Sequence, residues 1–175
     1  MKSIGNPEII LHVVQSIPEA RFFILYGYDQ EEFVPIIRQG LIEHGIEKNV
    51  VFAPPVPHQQ VSMYIRASHV GVSPIETIPI YNVSTPHKFV EMLGMGCPVV
   101  ASEIPDQKYV LDKSGGGICV PYDSGAFAKA VVYLLQNPDK AKEMGKKGRA
   151  FVERERSYGI LAKKIDKVLR PLVCN

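Results

Sequence analysis

Five short stretches of the chain, at 20–26 (ARFFILY), 50–53 (VVFA), 69–73 (HVGVS), 98–101 (PVVA) and 117–120 (GICV), are dominated by apolar residues. Runs of this length without polar alternation predict strands covered on both faces. Between them apolar residues recur at helical spacing: over 7–17, over 30–44 with Phe33, Ile36, Ile37 and Ile42, and over 59–67 with Val61, Met63, Tyr64 and Ile65. Alternation of this kind predicts βαβ units and an α/β fold with a Rossmann-like, doubly wound parallel sheet. From Ser124 onward the pattern is helical only, over 125–136, 139–156 and 159–172. The second of these follows Asn137-Pro138, a capping residue with proline at the first helical position. The chain opens in a helical pattern, although a sheet of this class ordinarily opens with a strand. Either an edge strand is lacking or the chain is a piece of something larger.

Length and composition narrow the class. At 175 residues, one domain over 1–175 is expected, and a chain of this size buries roughly 70% of its unfolded surface, enough for a core without staples. Cys97, Cys119 and Cys174 are odd in number and widely spaced, which favours packing roles in a reducing compartment over disulfides or a metal site. A net charge of +2 and a pI near 8.4 are too mild to imply a nucleic-acid partner. Neither a bilayer-spanning run nor a secretory signal is present, so a soluble, cytoplasmic protein is expected.

In a parallel open sheet, ligands bind at the carboxyl ends of the strands. The loops there are 27–29, 54–58, 74–84 and 102–106. The third is long for a strand-to-helix connection, where about two to six residues are usual, and its sequence PIETIPIYNVS carries Glu76, Tyr81 and Asn82 among apolar residues. A ligand-facing flap and an ordinary surface insertion both fit it. The helix it feeds, over 86–95, is more specific. Thr85 and Pro86 read as N-cap and first helical residue, after Ser84, aiming free N–H groups and the positive dipole end at the cleft, an arrangement suited to phosphate. Helical spacing sets His87, Lys88 and Glu91 on one stripe: a cation for phosphate, and one turn on a carboxylate for a ribose diol. A solvated Lys/Glu pair worth a few tenths of a kcal/mol is the bland alternative. Gly94 and Gly96 either allow a tight return into the next strand or serve as C-cap and packing contact.

At these residues the sequence resembles the C-terminal, nucleotide-sugar-binding domain of GT-B glycosyltransferases of the family 4, or group 1, type. ARFFILYG resembles the strand ending in glycine beside the donor. NVVFAPPVPHQQVSMYIRASHVGVSP and HKFVEMLGMGCPVVAS follow in the family's order, and GGGICVPYDSGAFAKAVVYLLQNPDKAKEMGKKGRAFV resembles its closing helices. The resemblance implies that Glu91 is the second glutamate of the E-x7-E signature, which holds the ribose. Val83 stands where the first, sugar-contacting glutamate belongs, and Glu76 is the candidate substitute. Gly27 and Tyr28 correspond to the end of the strand beside the donor, and Val56 to the loop touching the nucleobase. Pro54 replaces a usual glycine there, and with Pro55 it removes backbone donors. The family's diphosphate-binding Arg and Lys follow a first strand that this chain lacks, leaving Lys2 as a weak counterpart.

The resemblance further implies a retaining transferase that needs no metal and no cofactor, with a nucleotide-diphosphate sugar as substrate and a glycan or lipid-linked acceptor held by an N-terminal domain absent here. This chain would then bind the donor without transferring sugar alone. A non-catalytic nucleotide-binding or interaction module of the same fold is the competing reading, and an epimerase of related architecture a third. Neither nucleotide nor sugar is identified. The basic 140–156 segment, with Lys146, Lys147 and Arg149, reads as a solvated helix face or a peripheral membrane contact. His87 belongs with Ser84, Thr85, Pro86, Lys88 and Glu91 among the donor-binding candidates; His58 and His87 read either as bases or, as isolated histidines near loops usually are, as polar filler, Glu103 and Asp106 as caps of the Pro105 helix, and the last helix as a face able to drive self-association.

Overall fold

All five apolar runs contain strands. The computed structural model describes residues 7–173, with strands β1 (Phe22–Leu25), β2 (Val50–Ala53), β3 (Gly71–Ser73), β4 (Val99–Ser102) and β5 (Gly117–Val120). Helices α1 (Pro7–Ser16), α2 (Val34–Glu43), α3 (His58–Ala67), α4 (His87–Gly94) and α5 (Pro105–Ser114) alternate with them. The helices α6 (Ser124–Gln136), α7 (Pro138–Glu155) and α8 (Tyr158–Val173) form the helical C-terminal third.

Every strand pair is parallel, Phe22 opposite Val50 in one ladder and Val99 opposite both Gly71 and Gly117 in the other. The strands form two ladders, β1–β2 and β3–β4–β5, and no described strand joins them. Helices cover both faces of the larger ladder. Successive residues of a strand point to opposite faces, and in the wholly buried β4 this sends Val100 into a cluster with Val13 of α1 and Phe127 of α6, while Val99 and Ala101 meet Phe89, Leu93, Val110 and Phe151 of α4, α5 and α7. The smaller ladder differs from expectation. Phe23 and Val51 are exposed, and no residue of α3 is buried, so β1–β2 is covered on the α1–α2 face only.

Three helix starts also differ. The expected helix over 30–44 divides into a 3-10 turn, Tyr28–Phe33, and α2, because Pro35 lacks an N–H and fits only the first turn of an α-helix. Asn137 does not cap α7; its amide donates to the Tyr133 carbonyl at the end of α6. Asp106 does not cap α5 but pairs with Arg156 at 2.7 Å. Gly96, by contrast, closes α4, the C-cap among the two readings open for it. It takes a φ of 80°, its N–H donates to the Leu93 carbonyl and that of Cys97 to Met92, a Schellman turn that only an αL-tolerant residue permits.

Cys97 and Cys119 are packing residues without a disulfide; Cys174 lies outside the described residues. Burial pushes both thiols up to about 11. The thiolate is the reactive species, so iodoacetamide at about pH 8 is expected to leave both unmodified in the folded protein and to label both in denaturant, read by peptide mass spectrometry.

Candidate functional site

Parallel pairing brings the carboxyl ends of neighbouring strands to one edge. The segment after β1 therefore lies beside that after β2: Gly27 and Tyr28 at the start of the 3-10 turn, and 54–57 with half-buried Val56. On the larger ladder the loops after β3, β4 and β5 share an edge in the same way. A side-chain contact links the two sets. His58, the first residue of α3, places Nε2 3.2 Å from Oε1 of Glu91 on α4.

The start of α4 is displaced by one residue from expectation. Pro86 occupies the cap position with a ψ of 114° and α4 begins at His87, so Thr85 is exposed outside the helix and no side chain caps it. The reason is local. A residue before proline is driven to extended backbone, and Pro86 is itself extended, which leaves Thr85 too far back to reach the first-turn amides. Those of Phe89 and Val90 bond to the Pro86 carbonyl, while those of His87 and Lys88 find no acceptor among the described residues. The helix end is thus open, with its donors unused.

Burial of Phe89 and Leu93 among Val99, Ala101 and Phe151 fixes the rotation of this helix. His87 and Lys88 consequently face solvent, and Glu91, one turn on, is half-buried. Lys88 has no acidic partner among the described residues, and Glu91 has none for Oε2. Unneutralised cation, open amides and a half-free carboxylate lie within about 6 Å of axial rise, given 1.5 Å per residue. That spacing suits a diphosphate followed by a hydroxyl-rich ring.

The loop after β3 is anchored at its start and its end. Ser84 donates to the Tyr81 carbonyl at 3.1 Å, closing the 3-10 turn Pro79–Val83. Val83 is 90% exposed, so the position of the expected sugar-contacting carboxylate turns to solvent. Glu76 is half-buried at the other end of the loop and acts on Tyr122, in the segment after β5: burial chiefly, and then the Glu76 charge, raise the Tyr122 phenol. Lys2 lies outside the described residues.

The residue that sequence reasoning set aside is His58. An exposed histidine at a helix start carries no local signal, because its significance comes from Glu91, thirty-three positions away. The 140–156 cations are mostly engaged on their own helix, Lys147 with Glu143 at 2.6 Å and Arg149 with Glu153 at 2.8 Å, as in a solvated helix face. No described helix is long and apolar enough to cross a membrane.

A family model for glycosyl transferases group 1 matches residues 5–137. A comparison with curated proteins gives no match. Among solved structures, sucrose-phosphate synthase from Thermosynechococcus elongatus superposes with a TM-score of 0.85 at 23% identity, covering 98% of this chain and 43% of that one. HepE from Anabaena in complex with UDP gives 0.81 at 17% identity, covering 98% and 46%. The C-terminal domain of a group 1 glycosyl transferase from Francisella tularensis gives 0.72 at 15% identity, covering 90% and 82%. The chain thus spans less than half the length of the first two. These likenesses establish the fold: a Rossmann-like half of the GT-B architecture with a helical C-terminal region.

Proposed function

The chain belongs to the glycosyl transferases group 1 family, and on that premise we propose that it is the donor-binding half of a retaining, metal-independent glycosyltransferase whose nucleotide-diphosphate sugar binds at the open start of α4. The observation that carries this reading is the uncapped helix end, where the His87 and Lys88 amides and the Lys88 side chain have no partner among the described residues, with the Glu91 carboxylate one turn on.

Each group has a role in the proposal. The amides and Lys88 hold the diphosphate and stabilise its developing charge as it leaves, in place of a metal ion. Glu91 accepts hydrogen bonds from the ribose hydroxyls, with His58 holding the other carboxylate oxygen. Gly27, Tyr28 and Val56 border the nucleobase, and Glu76 takes the sugar-facing place that Val83 leaves empty. HepE, solved with UDP and with UDP-glucose, supports a nucleotide-sugar donor. The acceptor, a glycan or a lipid-linked sugar in cytoplasmic polysaccharide assembly, would be held by a separate domain, and this chain as one domain would bind donor without transferring it. A non-catalytic binding module remains a second reading, favoured by exposed Val83 at the sugar-contact position.

An amide-resolved NMR titration of the 175-residue protein with UDP and GDP tests the site. The largest shifts are expected at His87, Lys88 and Val56. Absence of binding at millimolar nucleotide, or shifts confined elsewhere, would overturn the reading. Robust sugar transfer by the purified chain without a second domain would refute the half-enzyme assignment.

A further inference from the structure

β4 ends at Ser102 and α5 carries Gln107 in its first turn, and both side chains are fully buried. Buried polar side chains are tolerated where their bonding is satisfied, and then they fix geometry. Here the bonding is directed at one place, the exit of the chain from β3. The Ser102 hydroxyl accepts the Ile75 N–H at 2.9 Å and donates to the Ile75 carbonyl at 2.6 Å, so one side chain holds both backbone polar groups of a single loop residue. The Gln107 amide donates to the Ser73 hydroxyl, and its Oε1 lies 3.3 Å from Ser102 Oγ. The network thus joins the last residue of β3, the last of β4 and the first turn of α5 around the opening of the 74–84 loop. Glu76 is the next residue after the one held. An ordinary surface insertion needs no such clamp, since water would satisfy Ile75.

We infer that Ser102 and Gln107 are positioning residues that set the Glu76 carboxylate toward the donor sugar, an assignment that rests on the proposed function. They touch no substrate themselves. Their effect is to remove the backbone freedom that a long loop would otherwise have to lose when the ligand binds.

The test compares wild type, Ser102→Ala, Ser102→Thr, Gln107→Leu and Glu76→Gln by calorimetric titration with UDP, UDP-glucose, GDP and GDP-mannose. In Ser102→Ala the preference for the matching sugar nucleotide over its bare nucleotide is expected to fall about tenfold, the scale of one lost charged hydrogen bond, while affinity for the bare nucleotide stays within about twofold. Glu76→Gln should show the same loss, Ser102→Ala with Glu76→Gln no further loss, and Gln107→Leu a smaller one; Ser102→Thr, which keeps the hydroxyl, should restore the preference. Amide exchange without ligand gives a second reading, faster at Ile75 in Ser102→Ala with β4 unchanged. The inference is overturned if folded Ser102→Ala keeps the full preference, if it weakens nucleotide and sugar nucleotide equally, if Ile75 exchange is unaltered, or if wild type shows no sugar preference. Failure of wild type to bind any of the four ligands at millimolar concentration is a distinct result, which removes the proposed function and the inference with it.

Discussion

Replacing Glu91 with alanine is expected to weaken binding of the matching nucleoside diphosphate roughly ten- to a hundredfold, because hydrogen bonds to a charged group contribute about 1.5–3 kcal/mol. The lower end is the better expectation, since Glu91 is half-exposed and water screens part of the effect. Calorimetric titration of the two proteins measures it. The ribose assignment has its own check. If Glu91 accepts from the ribose, the 2′-deoxy nucleotide should bind wild type more weakly than the ribonucleotide, and Glu91→Ala should bind the two alike, the non-additivity of two changes to one contact. An equal deoxy penalty in both proteins would place the ribose elsewhere. The fold should be indifferent, because Glu91 reaches out of the Phe89–Leu93 core rather than into it.

Gly145→Ala is expected to lower stability by about 1–2 kcal/mol, measured by denaturant unfolding, because an overpacking cost of up to about 3 kcal/mol exceeds the roughly 1 kcal/mol by which alanine is the better helix former. The two effects have different origins. Gly145 and Gly148 lie on the buried face of α7 with Ala141 and Phe151. A Cβ on Gly145 would run into the Gly96 carbonyl oxygen and one on Gly148 into Leu93 and Gly116. Gly96 sits in the Schellman turn that ends α4, at a φ of 80°, and a backbone atom so held cannot rotate aside as a side-chain tip can. Overpacking therefore outweighs propensity. Gly159→Ala is the control, on α8 with open space around the added methyl; there propensity acts alone, and a gain of a few tenths up to about 1 kcal/mol is expected. Equal effects at 145 and 159 would show that α7 does not bear on the α4 turn.

The two glycines of α7 also show where the sequence is silent. The spacing of Ala141, Gly145, Gly148 and Phe151 is helical, but a stripe of small residues among lysines reads as a solvated face until a second backbone is known to press on it. The strand positions were legible because an apolar run is a property of consecutive residues: β2 and β5 fall on the bounds read from 50–53 and 117–120, and the other three strands lie within two residues of theirs. Lys88 and Glu91 were legible for the same reason, being three apart on one helix whose buried side is marked by Phe89 and Leu93.

What tertiary structure alone decided concerns partners far apart in the chain. Thr85 is a separate and local case: it reads as a cap by residue type, yet the extended backbone of the adjacent Pro86 moves the helix start beyond its reach and leaves two amides open among the described residues. Nothing adjacent to His58 points to Glu91, nothing around Asp106 to Arg156, and nothing near Ser102 to the Ile75 backbone. Local pattern determines which segments are strands and helices and which of their faces are apolar, since periodicity is set within a few turns. Which polar group meets which depends on how the layers stack, and a displacement of one residue at a helix start is enough to exchange a capped end for an open one.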